Sequence, residues 1–301
     1  FVDGEKMVQL VETDIQTREV LSWKGIHLCH FPSSSCSQKT RIVLDLKGIS
    51  WKSHIINLAE KKHNEAWFLG INPRGLVPVL IHDGTVHIES NDILMYLEKH
   101  FSDPPLIPEG SKKEIFQQLD KENDLHHDLR NLSMRYVLPP ESAGKTPEVL
   151  ENYRSLGSGT VRGEVDIRRE IEFDYWQRFN TNGGIPDEAV RRSAQRFRCA
   201  LDELEEALGE RDFLFDDTLS LLDVAWFIYV HRLRLVSYPV ETLHPRVTAW
   251  FERLKSEPAF AKEAIVPSHV QARLTERRAQ ESREGRSFAQ VAVDNENIID
   301  R

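Results

Sequence analysis

Residues 71–91 read INPRGLVPVLIHDGTVHIESN, and three features of this stretch decide the architecture. Val77–Ile81 and Val86–Ile88 are short strand-like runs separated by Asp83-Gly84, the turn dipeptide of a tight hairpin. Pro78 stands at the entry to the first run, where a proline removes a ladder donor and is normally excluded except at edges or special bonds. The Val77-Pro78 bond is therefore expected to be cis, turning the Val77 backbone N–H and C=O toward whatever lies beside the first helix; an ordinary trans edge proline is the alternative. Glu89-Ser90-Asn91 then passes from strand into helix, and Asn91–Phe101 places Ile93, Leu94 and Leu97 on its inward face.

Upstream of this ββα segment the same alternation continues. Ile26–His30 reads as a strand, Ser37–Lys47 as a helix with Ile42, Val43 and Leu46 on one face and Gly48 at its stop, Trp51–Leu58 as a strand and Asn64–Leu69 as a short helix. The order is βαβ followed by ββα, an α/β unit over 24–103. Beyond Pro104-Pro105 the pattern changes to helix-length segments without strand alternation: Lys112–Arg135, Glu164–Asn180, Asp187–Gly209, Ser220–Val236 and Pro245–Lys255. They define an all-helical domain over 108–266. Pro139–Gly163, rich in proline and glycine, is expected to be a long loop, and 267–301 a polar tail that frays from Arg273 onward.

Composition narrows the partners. The 301 residues carry 39 Lys and Arg against 48 Asp and Glu, a formal charge of -9, with 40% hydrophobic and 29% charged residues. Such a chain folds, and it lacks the general positive field that draws phosphate backbones or anionic lipid, so nucleic acid is not an expected partner. No apolar run nears the ~18 residues of a spanning helix, and the first 25 residues lack the order of a signal peptide. Cys29, Cys36 and Cys199 are too few for a disulfide framework or a four-thiolate zinc site, which fits a reducing compartment and no metal.

Four clusters carry candidate chemistry. Phe31-Pro32-Ser33-Ser34-Ser35-Cys36-Ser37 sets hydroxyls and one thiol at a helix N-terminus, where unpaired N–H groups and the helix dipole stabilise a thiolate of the protein or of a ligand; the same serines also serve as plain N-caps. Val77-Pro78 is the second. The third, Glu89-Ser90, can grip an amino-acid end, the carboxylate taking an ammonium and the Ser90 hydroxyl and N–H a carboxylate. The fourth, Ser220-Leu221-Leu222-Asp223, is an S-x-x-D capping box with a structural role. Cys29 and Cys199 read as buried, inert thiols. His126-His127 and the basic run from Arg191 to Arg198 read as solvated helix faces.

Taken together, these residues resemble the glutathione transferase superfamily. Ser-x-Cys-Ser-x-Lys-x-Arg after the first strand, Asn72-Pro73-x-Gly75-x-Val77-Pro78-Val79-Leu80, Glu89-Ser90-x-x-Ile93-x-x-Tyr96-Leu97-Glu98 and the late Ser220–Asp223 box recur in its order and spacing, over Ile26 to about Ala261. Ser34-Ser35-Cys36-Ser37 and Lys39-Thr40-Arg41 look most like the hydroquinone reductive dehalogenases and the zeta class. His63-Asn64-Glu65-x-Trp67-Phe68 and the Leu222–Leu233 stretch are also similar to the ganglioside-induced differentiation-associated branch, without its membrane helix.

The resemblance implies a thioredoxin-like first domain, a helical second domain, and glutathione as co-substrate of a cytoplasmic homodimer. It implies Ser34 and Cys36 as catalytic residues, with Ser35, Lys62, Val77, Pro78, Glu89 and Ser90 binding glutathione. Ser34 would hydrogen-bond the glutathione thiolate, and Cys36 would resolve a glutathionyl intermediate. The second substrate is expected to be an aromatic or quinone-like electrophile, lying between the domains against Trp176, Phe179, Trp226 and Tyr229, although core packing accounts for the same aromatics. The implied reactions are transfer, reductive dehalogenation or ether cleavage. A zeta-like isomerase and a non-catalytic binding protein of the same fold are the alternatives.

Overall fold

The computed structural model describes residues 7–138, 144–215 and 217–293. Its chain divides into two compact units, one formed by Phe1–Pro104 with Gly144–Thr181, the other by Pro105–Ala143 with Asn182–Arg301.

The first unit is built on a four-stranded sheet. In chain order it contains β1 (Ile26–His30), α1 (Ser35–Leu46), β2 (Lys52–Ile55), α2 (Ala66–Leu69), β3 (Val79–His82), β4 (Thr85–His87) and α3 (Ser90–His100). The strands lie in the order β2-β1-β3-β4, with β1 parallel to β2 and antiparallel to β3, and β3 antiparallel to β4. This is the expected α/β unit, and Asp83-Gly84 turns the hairpin with both residues at positive φ. The trimmed ends of the Trp51–Leu58 run follow from its polarity, since β2 is a solvent-facing edge strand.

The sequence reading starts this domain at 24, yet the segment before it belongs to the core. Leu10, Ile15 and Val20 are buried in the cluster that holds Val79, Ile81 and Val86, Gln9 pairs with His87, and Leu10 N–H donates to the Val86 carbonyl at 2.9 Å. These apolar residues are isolated and follow neither period, so periodicity overlooks them.

The 144–181 segment also departs from expectation. In place of an unbroken loop to Gly163, Thr146 caps α6 (Pro147–Ser155), its hydroxyl accepting from Val149 N–H at 3.3 Å, and β5 (Thr160–Val161) and β6 (Glu164–Val165) form a small hairpin before α7 (Ile167–Thr181). The expected loop residues Pro139 and Pro140 lie outside the described residues. Buried Asp14 holds the hairpin, accepting from Thr160 Oγ1 at 2.7 Å, Arg162 N–H at 2.7 Å and Gly163 N–H at 2.9 Å. Helix content groups this stretch with the helical domain expected over 108–266, whereas its contacts join it to the first unit.

The second unit is helical. It contains α4 (Lys112–Asp124), α5 (His126–Tyr136), α8 (Asp187–Leu208), α9 (Leu221–Val236), α10 (Val240–Leu243), α11 (Pro245–Lys255), α12 (Pro258–Ala261), α13 (Ser268–Arg283) and α14 (Phe288–Val293). Its centre is α9, with Phe227, Ile228, Tyr229 and Val230 fully buried. The expected Lys112–Arg135 helix is broken at Leu125 into α4 and α5.

Two expectations are corrected in this unit. The frayed tail is instead two helices as far as Val293, because Leu274, Phe288, Val291 and Ala292 are buried and the Phe288 ring packs edge-on to Tyr136; residues 294–301 lie outside the described residues. Cys199 is exposed, on the face of α8 opposite the buried stripe of Val190, Ala194, Phe197, Leu201 and Leu204. Among the described residues no helix is long and apolar enough to cross a membrane.

Candidate functional site

The sheet register brings three of the four sequence clusters to one place. Cys29 pairs with Val79 and Leu80 with His87. Continuing each antiparallel register by one or two residues sets Pro78 between His30 and Glu89. The loop into α1, the start of β3 and the start of α3 therefore meet at one end of the sheet, and α1 and α3 are tied by Lys39 Nζ donating to Asn91 Oδ1 at 2.9 Å.

Ser34 is the N-cap of α1. Its Oγ accepts from Ser37 N–H at 3.3 Å, a contact that uses a lone pair and leaves the hydroxyl proton available to donate. Ser35 and Cys36 follow in the first turn, both partly buried, so the thiol sits at the positive end of the helix. The loop before them is held from behind. Arg41 Nη2 donates to the Pro32 carbonyl at 2.9 Å, and its Nη1 donates to the Phe31 carbonyl at 3.3 Å and to His30 Nδ1 at 3.0 Å. His30 Nε2 in turn meets Ser53 Oγ at 2.7 Å. Burial, then the charges of Arg41 and His54, push the His30 pKa down to about 4, so the ring is a neutral link in this chain.

The Val77-Pro78 peptide is cis, as is Asp103-Pro104. The turn before it is organised by buried Asn72, which accepts Arg74 N–H on its Oδ1 at 3.0 Å and donates from Nδ2 to the Leu76 carbonyl at 2.8 Å. Gly75 lies at φ 60 with the His63 carbonyl 3.0 Å from where a Cβ would stand, so a side chain there meets both backbone strain and crowding.

Glu89 caps α3 with φ 67, uncommon for a residue with a side chain and characteristic of positions held for a purpose. Its carboxylate is engaged: Arg74 Nη1 donates to Oε1 at 2.5 Å and Arg168 Nη1 to Oε2 at 2.9 Å. Arg74 is buried and also makes a two-point contact with Asp166, Nε to Oδ2 at 2.6 Å and Nη2 to Oδ1 at 2.9 Å. Burial opposes the Arg74 charge, but the paired carboxylates outweigh it and raise its pKa. Ser90 is buried at the first position of α3.

Lys62 stands apart from this cluster's bonding, exposed and paired to Glu65 at 2.8 Å, which raises its pKa. Cys29 is fully buried in β1, its pKa pushed up to about 12 by burial, as an inert core thiol requires. Trp226 and Tyr229 are buried within the second unit, and Trp176 is buried within the first, its ring 4.9 Å from Lys145 Nζ. Among the described residues no group of three or more His, Cys, Asp and Glu could hold a metal ion.

Arg74, Asp166 and Arg168 are the site residues that sequence reasoning missed. Arg74 falls at an unspecified position of the Asn72–Leu80 motif, and its partner Asp166 lies 92 residues away in a segment read as helix. The one available signal was a basic residue between a proline and a glycine ahead of a strand.

The glutathione S-transferase N-terminal domain model matches residues 33–100, and the C-terminal domain model matches 187–253. Glutathione S-transferase 1 of Dianthus caryophyllus is 40% identical over 88 residues, 29% of this chain and 40% of that relative, so the match spans less than half of its length. Protein LigF of Sphingobium sp. strain NBRC 103272 / SYK-6 is 25% identical over 242 residues, 78% of this chain and 91% of LigF. The crystal structure of beta-etherase LigF superposes with a TM-score of 0.63 at 22% identity, covering 79% of this chain and 98% of that one. Human glutathione transferase theta-2, solved with glutathione and an unknown ligand, gives a TM-score of 0.63 at 20% identity over 89% of this chain and 99% of its own.

Proposed function

Because this chain belongs to the glutathione transferase superfamily, we propose that it is a glutathione-dependent enzyme acting on an aromatic electrophile, with cleavage of an aromatic ether as the leading reaction. The observation that carries this reading is the convergence of the α1 start, Val77-Pro78 and Glu89-Ser90 at one sheet end. LigF, named a beta-etherase, is similar over most of both chains and favours the ether over other electrophiles.

In this reading Glu89 takes the ammonium of glutathione and the Ser90 hydroxyl and N–H take the neighbouring carboxylate, with the Val77 backbone and Ser35 and Lys62 completing the grip. Ser34 donates its hydroxyl proton to the tripeptide sulfur and, with the α1 N-terminus, holds it as a thiolate while the thiol proton leaves to water. The sulfur attacks the ether-bearing carbon; the C–S bond forms, the C–O bond breaks, and the departing oxygen keeps the bonding pair and gains a proton from water. Cys36 serves a second half. Its thiolate attacks the sulfur of the glutathionyl product, forming an S–S bond as the C–S bond breaks, and the carbon that bore the sulfur keeps the pair and takes a proton. A second glutathione then cleaves the mixed disulfide, leaving glutathione disulfide and restoring Cys36. The reading also takes the protein to work as a cytoplasmic homodimer.

Two variants separate the roles. Incubated with glutathione and a panel of β-aryl ethers and halogenated hydroquinones, Ser34→Ala slows the first substitution by about 10²-fold or more, the scale of one lost charge-stabilising donor, while Cys36→Ser leaves that step intact and accumulates the glutathionyl conjugate in mass spectra. Full turnover without conjugate in Cys36→Ser removes the second half and leaves a simple transferase or lyase. No glutathione-dependent turnover of any member of the panel by the wild-type protein overturns the reading in favour of an isomerase or a binding protein.

A further inference from the structure

The 144–181 segment does more than pack beside the candidate glutathione site. It sends one charged group into it. Arg168 stands two residues after Asp166, which is buried and fixed by the two-point contact with Arg74, and from there Arg168 Nη1 reaches Glu89 Oε2 at 2.9 Å. The base of this arm is over-determined. Asp14 clamps the hairpin, Tyr153 OH donates to the Arg74 carbonyl at 3.2 Å, and buried Arg169 donates to the carbonyls of Tyr153 and Leu156. Its tip is not, for the Arg168 side chain is 54% exposed against 24% for Glu89 and 8% for Arg74.

The two arginines on Glu89 therefore differ in kind. Arg74 is shared with Asp166, buried, and part of the framework; breaking it strands two carboxylates. Arg168 is on the solvent side, with one contact to the carboxylate oxygen that Arg74 leaves open. A partly exposed ion pair of this kind contributes little and is readily exchanged. Its guanidinium occupies the oxygen on which a ligand's ammonium would be seated, with the same charge and the same donor chemistry.

We propose that Arg168 is a specificity-determining residue that acts as an internal substitute for the ligand's ammonium, holding Glu89 neutralised in the unliganded protein and yielding the carboxylate only to a ligand bearing a primary ammonium at that end. This rests on the reading of Glu89 given under Proposed function. Exchange of one cation for another keeps both Glu89 oxygens paired throughout, Oε1 by Arg74 and Oε2 by Arg168 or by the ligand. The cost is affinity: each ammonium that binds must displace Arg168 and accept its charge nearby.

Calorimetric titration of the full chain with glutathione and with its deaminated analogue, which lacks only the ammonium, tests this. In Arg168→Gln, glutathione binds about two- to fivefold more tightly than to the wild type, the range expected when a partly exposed competing pair is removed, and the deaminated analogue is unchanged. Arg168→Lys, which keeps the competing cation, restores wild-type affinity for both. Equal affinity of wild type and Arg168→Gln for glutathione, or a parallel change for both ligands, overturns the proposal while leaving the glutathione site in place. Absence of glutathione binding to the wild type and to Arg168→Gln alike overturns both readings.

Discussion

Asp92 sits in the first turn of α3, its Oδ2 accepting Val8 N–H at 3.0 Å. Burial, and behind it the charge of Glu89, lift its carboxyl to about 6 against the partial relief of the Val8 bond and of Arg162 and Arg168. The native state thus holds this proton more tightly than the unfolded chain, whose aspartate titrates near ~3.9. Above pH 6 the buried carboxylate costs stability, and the cost disappears as pH falls through the window between those values. Asp92→Asn keeps an acceptor for Val8 and has no charge to bury. It is expected to raise stability by about 2 kcal/mol at pH 7.5 and by progressively less toward pH 4, read from denaturant melts; an equal gain at both pH values would deny the burial argument. Single residues were legible in the sequence where the chemistry is local: Ser34 is an N-cap because serine suits one, and Glu89-Ser90 opens a helix as its types suggest. Arg74 was not legible, because its meaning lies in Asp166 and Glu89, and no local pattern announces a partner 92 residues away.

Among the elements, α9 shows how far a motif can be read. The Ser220–Asp223 box was legible as structural, and it is. What the spacing hid is how many donors converge there: Asp223 Oδ1 accepts from Leu214 N–H and Trp250 Nε1, each at 2.9 Å, and Oδ2 from Ser220 N–H at 2.9 Å and Ser220 Oγ at 2.8 Å. All four donors are buried with it, so Asp223 joins the α9 start to α11 and to the chain before it. Asp223→Ala strands these donors and is expected to cost at least about 3 kcal/mol in urea melts, since each buried donor left unsatisfied costs about 1–3 kcal/mol. Ser220→Ala, which leaves the backbone contacts, is expected to cost about 1 kcal/mol. Comparable losses in the two would mean that the box, and not the four-donor acceptor, holds the helix. Helices α8 and α11 were legible to within a residue or two because one face of each is apolar, and α9 because nearly its whole surface is buried. The helix at Pro147–Ser155 was not, since two buried residues, Leu150 and Tyr153, in a proline- and glycine-rich surrounding give no period to detect.

At the scale of the molecule, acid tests whether burial of neutral histidines governs stability. His30 and His87 in the first unit are pushed down to about 4, and His231 in the second to about 3. Burial is the largest cause in each, followed by Arg41 and His54 for His30, His100 and His82 for His87, and Arg232, Arg234 and Lys255 for His231. Below about pH 6.5 the unfolded chain takes up protons that the folded rings refuse, so stability falls with pH, by about 2 kcal/mol per histidine at pH 5. The carboxyls of Asp92, Asp120 and Asp223, raised by burial, work the other way, three groups against the five lowered histidines His30, His54, His87, His231 and His244. His87 offers the clearest single test. It is buried, its Nε2 is 3.1 Å from Thr85 Oγ1, its Nδ1 has no hydrogen-bond partner, and its ring lies against Tyr96 with centroids 3.8 Å apart. Thermal unfolding at pH 7.5 and pH 5 is expected to show a clear loss of stability in the wild type and a smaller loss in His87→Gln, whose amide does not titrate. His87→Gln destabilises by the same amount at both pH values if the ring matters only for packing, and that outcome would assign the acid sensitivity to other groups.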